Sequence, residues 1–142
     1  MDNFATASSL RLSISNLNKR LRKQVYATEG FSLSELSVLS YIYQQGALFP
    51  SELAELVKVK NQSMSQMLNN LETEGLITRT QSMEDKRKMS VTITPKGKKM
   101  VEKTRHERDE WLAAAIHHTL SAEEKKLLSA AIPLLSKLAD YK

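Results

Sequence analysis

The sequence contains no cysteine, which excludes disulfides, thiolate metal sites and cysteine-based redox sensing. Its only imidazoles are His106, His117 and His118, and the adjacent pair points in different directions on a helix, so no metal site is expected. No stretch approaches the roughly 18 apolar residues of a membrane span, and the N-terminus lacks the apolar region of a signal peptide. Glycine-rich phosphate loops and nucleophile elbows are also missing. We therefore expect a cytoplasmic protein without membrane partners, enzymatic activity or a cofactor.

Basic residues outnumber acidic ones. The 142 residues include 21 Lys and Arg against 16 Asp and Glu, which gives a formal net charge of +5. Such a balance favours a polyanionic partner, nucleic acid before membrane. The length suits one compact domain or a small domain with extensions, and the ordinary apolar fraction argues against disorder.

Ten consecutive residues, from Asn61 to Asn70, carry no charge. Met64, Met67, Leu68 and Leu71 recur at helical spacing in and just after this stretch, which predicts a helix with one buried face. A solvated helix would normally carry Lys and Glu on its other side. Here that side offers only amides and hydroxyls, on Asn61, Gln62, Ser63, Ser65, Gln66 and Asn69.

Capping and periodicity signals divide the chain into helices and two strands. They predict a first helix from near Ala7 to before Gly30, a second capped by Ser32 or Ser34, and a third that begins at Pro50. Strands are predicted at 76–81 and 89–94, and a long helix from Pro95 to about residue 118. Ser121 with Glu124 forms a capping box for a last helix, in which Pro133 should cause a kink or mark a register break. The predicted core positions of the second and third helices are Leu36, Leu39, Ile42, Tyr43, Leu53, Leu56 and Val57.

Two short helices joined by a tight turn and followed by a hairpin predict a winged helix–turn–helix within a mostly α (α+β) fold. The second helix of such a pair enters the DNA major groove. Asn and Gln match the hydrogen-bonding edge of adenine in a bidentate manner, and Ser serves bases or phosphates. The amide face is therefore interpreted as a base-reading surface, and the alternative is a merely polar exposed helix.

From about Leu33 to Gly97 the chain resembles the MarR family of bacterial transcriptional regulators. The matching stretches are "LSELSVLSYI", "PSELAELVKVKNQSMSQMLNNLETEGLI" and "EDKRKMSVTITPKG". The last is the most specific, because the family's wing carries an Asp-x-Arg pattern, here Asp85 and Arg87, ahead of an alternating strand. The chain departs from the family at Gln66 and Asn70, where Arg is common. Without an Arg–guanine contact from this helix, an A·T-leaning site is expected.

The resemblance implies that Arg87 enters the minor groove and that Asp85 orients the wing or Arg87 itself. A projecting Arg independently favours a narrow, electronegative minor groove. Other cations are candidates for phosphate contacts: Arg79, Lys86 and Lys88 in the wing, and Lys60, Lys96 and Lys98 at helix starts. The alternative for the wing is a solvated basic turn.

The resemblance also implies dimerisation helices on either side of the DNA-binding lobe, so that residues 1–30 and 98–142 flank residues 31–97. A homodimer reads two half-sites of a pseudo-palindromic operator about one helical turn apart. The outer helices are more apolar than one small core needs, although they could instead cover the winged lobe. The candidate interface residues are Leu10, Ile14, Leu17, Leu128, Leu135 and Leu138.

Many relatives bind small aromatic or anionic molecules between the dimer helices and the DNA-binding lobe, which implies an effector-responsive repressor here. Tyr41, Tyr43, Arg108 and Trp111 are residue types that could line such a pocket, and each has a structural alternative. The competing functional hypothesis is a winged-helix module that binds protein. Such a surface would show exposed apolar residues, whereas the wing and the following helix concentrate Lys and Arg.

Overall fold

The structure is a computed structural model that describes the backbone of all 142 residues and the side chains of all but residues 26–29. The chain forms six helices and a two-stranded antiparallel sheet. Their bounds in chain order are α1 Asn3–Glu29, α2 Leu33–Gln45, α3 Pro50–Val57, α4 Asn61–Thr73, β1 Ile77–Gln81, β2 Met89–Ile93, α5 Pro95–Thr119 and α6 Ala122–Ala139. The mostly α winged helix–turn–helix fold predicted from the sequence is confirmed. No helix in the described part of the chain is both long enough and apolar enough to cross a bilayer.

Side-chain caps explain where the helices begin. Ser32 and Ser121 each form a capping box with a Glu three residues later, which confirms one of the two caps predicted for α2 and the cap of α6. The predicted start of α1 near Ala7 is wrong. Asp2 accepts a hydrogen bond from the Ala5 N–H at 2.7 Å, and this cap lets α1 begin at Asn3.

The core lies between α2, α3, α4, the sheet and the start of α5. Leu39, Ile42 and Leu53 are buried as predicted. Leu56 is not, because the eight-residue α3 turns Leu53 and Ala54 inward and leaves Leu56 36% exposed. Leu36, Tyr43 and Val57 are only partly buried.

The wing is anchored to the core at its base. Strands β1 and β2 pair in register from Ile77 opposite Ile93 to Gln81 opposite Met89. Leu48 adds a bridge that the sequence did not indicate: its N–H donates to the Val91 carbonyl at 3.1 Å and its carbonyl accepts from the Val91 N–H at 2.7 Å. Strand β2 is therefore hydrogen-bonded along both of its edges, to β1 and to Leu48.

The outer helices present apolar side chains to solvent. Helix α1 packs along α5, while α6 has no buried residue among those described. Pro133 lies inside α6, and the helix continues through it, so the alternative of a register break is wrong.

Candidate nucleic-acid interface

The turn between α3 and α4 leaves the start of α4 open. Lys58 ends α3 in the left-handed conformation, at φ 63° and ψ 49°, which lets the chain turn into α4 within three residues. Lys60 precedes α4 and forms no side-chain cap. The first N–H groups of α4 and the Lys60 side chain therefore share one end of the helix, an arrangement that suits a phosphate oxygen.

The polar face of α4 is exposed, and the opposite face is buried through Met64, Leu68 and Leu71. Helical periodicity accounts for the separation, because positions three and four apart share a face. The exposed side carries the predicted amides and hydroxyls together: Asn61, Gln62, Ser63, Ser65, Gln66 and Asn69.

Arg79 of β1 ties the wing to this helix. Its Nη2 donates to Asn69 Oδ1 at 2.6 Å and to Glu72 Oε1 at 2.9 Å, and its side chain is 25% exposed. The hydrogen bond from Arg79 lowers the pKa of Glu72, the largest effect on that carboxyl. Arg79 was predicted to contact phosphate, but in the structure its guanidinium already has two partners on α4.

The tip of the wing is organised by Asp85. Its Oδ1 accepts the backbone N–H of Arg87 at 3.0 Å, and its two oxygens accept Arg87 Nε at 3.1 Å and Nη2 at 3.2 Å. The bonds from Arg87 lower the pKa of Asp85, so the carboxyl is ionised when it holds the arginine. The Arg87 side chain is still 91% exposed, so it projects from the wing while Asp85 holds its backbone N–H.

The other lysines predicted to contact phosphate differ in whether their side chains already have partners within the chain. Lys86 and Lys98 are exposed, whereas Lys88 Nζ lies 5.1 Å from the centre of the Phe49 ring and Lys96 Nζ donates to the Glu74 carbonyl at 2.8 Å. Lys88 and Lys96 thus have partners within the chain, the ring of Phe49 and the carbonyl of the C-cap residue Glu74, that composition alone did not reveal.

A cavity of about 480 Å³ lies between α1, α2, α3 and α5. Tyr41 and Arg108, two of the four candidate pocket residues, line it together with Arg22 and Lys58. Partial burial lowers the pKa of Arg108, with nearby Arg105 acting in the same direction. A cation so placed is incompletely solvated and gains from an anion.

Tyr43 and Trp111, the other two candidate pocket residues, do not line this cavity. Arg105 covers the ring of Tyr43 at 4.6 Å, and the tyrosine hydroxyl donates to Glu102 Oε1 at 3.2 Å. Arg20 stacks over Trp111 at 5.2 Å. Both rings therefore form cation–π contacts with arginines of neighbouring helices.

The predicted interface leucines are exposed to different degrees. Ile14 and Leu17 of α1 are 52% and 44% exposed, and Leu10 is half-buried. On α6 the exposed fractions are 38% for Leu128 and Leu135 and 61% for Leu138. Neighbouring large apolar side chains are exposed too: Phe4, Leu12, Leu127, Ile132, Leu134 and Tyr141.

A helix–turn–helix with an open polar helix, followed by an anchored hairpin with a projecting arginine, defines a winged helix–turn–helix protein. The family model described as MarR matches residues 31–89. The HTH-type transcriptional regulator MT0903.1 of Mycobacterium tuberculosis is 32% identical over 134 residues, which cover 94% of this chain and 92% of that protein. The chain belongs to the MarR family of transcriptional regulators.

Three further similarities bear on the function. The HTH-type transcriptional repressor MdtR of Bacillus subtilis is 29% identical over 63% of this chain and 60% of its own. A Pseudomonas aeruginosa PA01 structure has a TM-score of 0.86 and 33% identity, and covers 99% of this chain and 96% of its own. A Staphylococcus aureus MepR variant bound to an oligodeoxyribonucleotide has a TM-score of 0.68 and 25% identity, and covers 94% of this chain and 97% of its own.

Proposed function

We propose that this protein binds a pseudo-palindromic DNA operator as a homodimer and acts as an effector-responsive repressor. The observation that carries the proposal is the pairing of an uncharged, exposed amide face on α4 with a wing that Arg79 fastens to that face. The similarity to a repressor and to a regulator bound to an oligodeoxyribonucleotide supports it. In this role the protein acts in the cytoplasm, where the DNA is, and catalyses no reaction.

In the proposed complex, residues 31–97 form the DNA-binding lobe. Helix α4 lies in the major groove, where Gln62, Ser65 and Gln66 meet base edges. Arg87 enters the adjacent minor groove, where the narrow A·T-rich form attracts a guanidinium. Lys60, Lys86 and Lys98 contact phosphates at the edges of this surface.

Residues 1–30 and 98–142 form the proposed dimerisation region. Helix α6 exposes Leu127, Leu134 and Leu138 at 59–70% while burying none of its described residues. Apolar patches of this kind on a small protein mark an interface. A second copy of the chain is the proposed occupant, because a two-fold dimer presents two recognition helices to a palindrome.

The cavity is the proposed effector site. Its cationic lining residues are Arg22, Lys58 and Arg108. Its apolar lining includes Leu36, Leu56 and Met100. An anionic molecule with an apolar or aromatic body complements both features. Lys58 also forms the turn that sets the start of α4, so an anion bound here would act directly on the DNA-reading helix.

A protein-binding module is the second candidate. Met83 at the wing tip is 99% exposed and Met89 is 43% exposed, which gives the wing some apolar surface. Incubating the purified protein with DNA fragments from the genome that encodes it, and recovering those it retains, separates the two functions. Sequencing of the retained DNA should return one recurrent two-fold motif, and retention of fragments without any shared motif would favour the protein-binding module.

A further inference from the structure

We propose that Arg79 makes Asn69 a donor-only reader, so that Asn69 selects a base edge that offers only acceptors, guanine or thymine, over adenine, which presents a donor at N6 beside its N7 acceptor. This inference rests on the proposed DNA-binding function and adds a specificity-determining position to it. Asn69 stands three residues after Gln66 and seven after Gln62, on the exposed face of α4. Arg79 is the positioning residue, since it acts through Asn69.

The orientation of the Asn69 amide follows from the chemistry of its neighbour. A guanidinium carries only N–H donors, so the amide atom that faces Arg79 Nη2 at 2.6 Å has to be the oxygen. The Asn69 nitrogen is therefore the atom left for another partner. Nη2 has two hydrogens, and the second is used by Glu72 Oε1 at 2.9 Å, which holds the arginine in this position.

Bidentate recognition of adenine requires the amide oxygen to accept from adenine N6 while the nitrogen donates to N7. The oxygen of Asn69 has a second lone pair, but a short charge-assisted bond to Arg79 already polarises it. The hydrogens of adenine N6 would also approach an oxygen that lies against a positive charge. Guanine O6 and N7, or thymine O4, only accept, and they suit the Nδ2 hydrogens that the guanidinium polarises further.

Glu72 separates this role from a phosphate contact. The Arg79–Glu72 pair is close to neutral as a unit, and the Arg79 side chain is three-quarters covered. Loss of Arg79 should therefore displace few counterions from DNA and leave the salt dependence of binding unchanged. A phosphate-contacting arginine would instead flatten the log–log salt slope by about one per subunit.

The test is selection from a randomised double-stranded DNA library by the full-length wild type and by Asn69→Ala, Arg79→Met and the double variant. Wild type should prefer guanine or thymine over adenine by about five- to tenfold at one position per half-site. Asn69→Ala should remove that preference. Arg79→Met should move it toward adenine, and the double variant should match Asn69→Ala. Lys142→Met removes one positive charge at the end of the chain and should select the wild-type motif.

Asn69→Asp gives a second readout that keeps the bond to Arg79. The carboxylate only accepts, so the preference at the same position should switch to a base that donates, cytosine or adenine. The inference, but not the proposed DNA binding, would be overturned if Arg79→Met kept the wild-type base preference. It would also be overturned if Arg79→Met bound every sequence more weakly to the same extent with a flatter salt slope. Failure of the wild type to enrich any motif would overturn the proposed DNA-binding function as well.

Discussion

Both carboxylate oxygens of Asp85 accept hydrogen bonds from the Arg87 guanidinium, yet the arginine side chain remains 91% exposed. An exposed ion pair of this kind contributes little to stability, because solvent screens it. Its effect is geometric: the carboxylate also accepts the Arg87 backbone N–H, so it fixes both the turn and the direction of the side chain. The resemblance implied that Asp85 orients the wing or Arg87 itself, and in the structure it bonds both the backbone and the side chain of Arg87.

Arg87→Ala should weaken operator binding by roughly 1–3 kcal/mol and leave the dimer intact, because the residue contacts no dimerisation helix in the proposal. Fluorescence anisotropy measures the binding and sedimentation measures the mass. Lys86→Ala, one residue away, is the matched control and should show only the smaller, sequence-independent loss of a phosphate contact. Unchanged operator affinity of Arg87→Ala would remove the wing from the mechanism.

The Asp85–Arg87 pair should be insensitive to pH near neutrality. The folded pKa of Asp85 is lowered by the bonds from Arg87, so the pair's contribution is present above the unfolded pKa of about 3.9 and is lost as pH falls through the lower folded value. Carbon-detected NMR titration should show that pKa below its ordinary value. Arg87→Ala should raise it, and identical titration curves in the two proteins would contradict the pairing.

Gly97→Ala should destabilise the protein by about 1–3 kcal/mol, the usual cost of overpacking. A Cβ at this position would lie 2.2 Å from the Leu76 carbonyl oxygen and 2.6 Å from Ile93 Cγ1, where α5 crosses the base of the wing. Urea denaturation followed by circular dichroism measures the change. A variant as stable as wild type would show that α5 does not pack this closely on the hairpin.

Replacement of Leu135 and Leu138 by Asp should convert a micromolar dimer into monomers, since each charge would be buried unpaired in the interface. No described residue of α6 is buried within one chain, so the winged lobe should stay folded by circular dichroism. Ser129→Asp with Ser136→Asp, on the opposite side of α6, is the matched control and should remain dimeric. A wild-type monomer by light scattering that still binds a palindrome tightly would contradict the dimer.

Local signals account for the parts of the fold that the sequence predicted. Ser32, Pro50 and Ser121 mark helix starts through their own chemistry, and the alternation in the two strands placed β1 and β2 within one residue of their observed bounds. Asp2 is an equally local cap, but the apolar stripe that predicts α1 begins only at Leu10.

Contacts between distant segments account for what the sequence did not predict. Arg79 was predicted to contact phosphate because its partners Asn69 and Glu72 are ten and seven residues away and join it only when β1 folds back onto α4. Tyr43 contacts Arg105 and Glu102 across the α2–α5 contact, which the sequence did not indicate. The spacing of Asn69 and Glu72 on one helix face was the available signal for a shared basic partner.

The most direct test of the account is the titration of operator and scrambled DNA at several salt concentrations by wild type, Gln66→Ala and Lys98→Ala. Amides displace no counterions, so Gln66→Ala should lose about 1–3 kcal/mol of operator affinity, relax base preference at one position per half-site and keep the salt slope. Lys98→Ala should weaken both DNAs alike and flatten the slope by up to about one per subunit. If Gln66→Ala bound both DNAs as wild type does, with the operator preference intact, α4 would not be reading bases and the protein-binding module would become the better description.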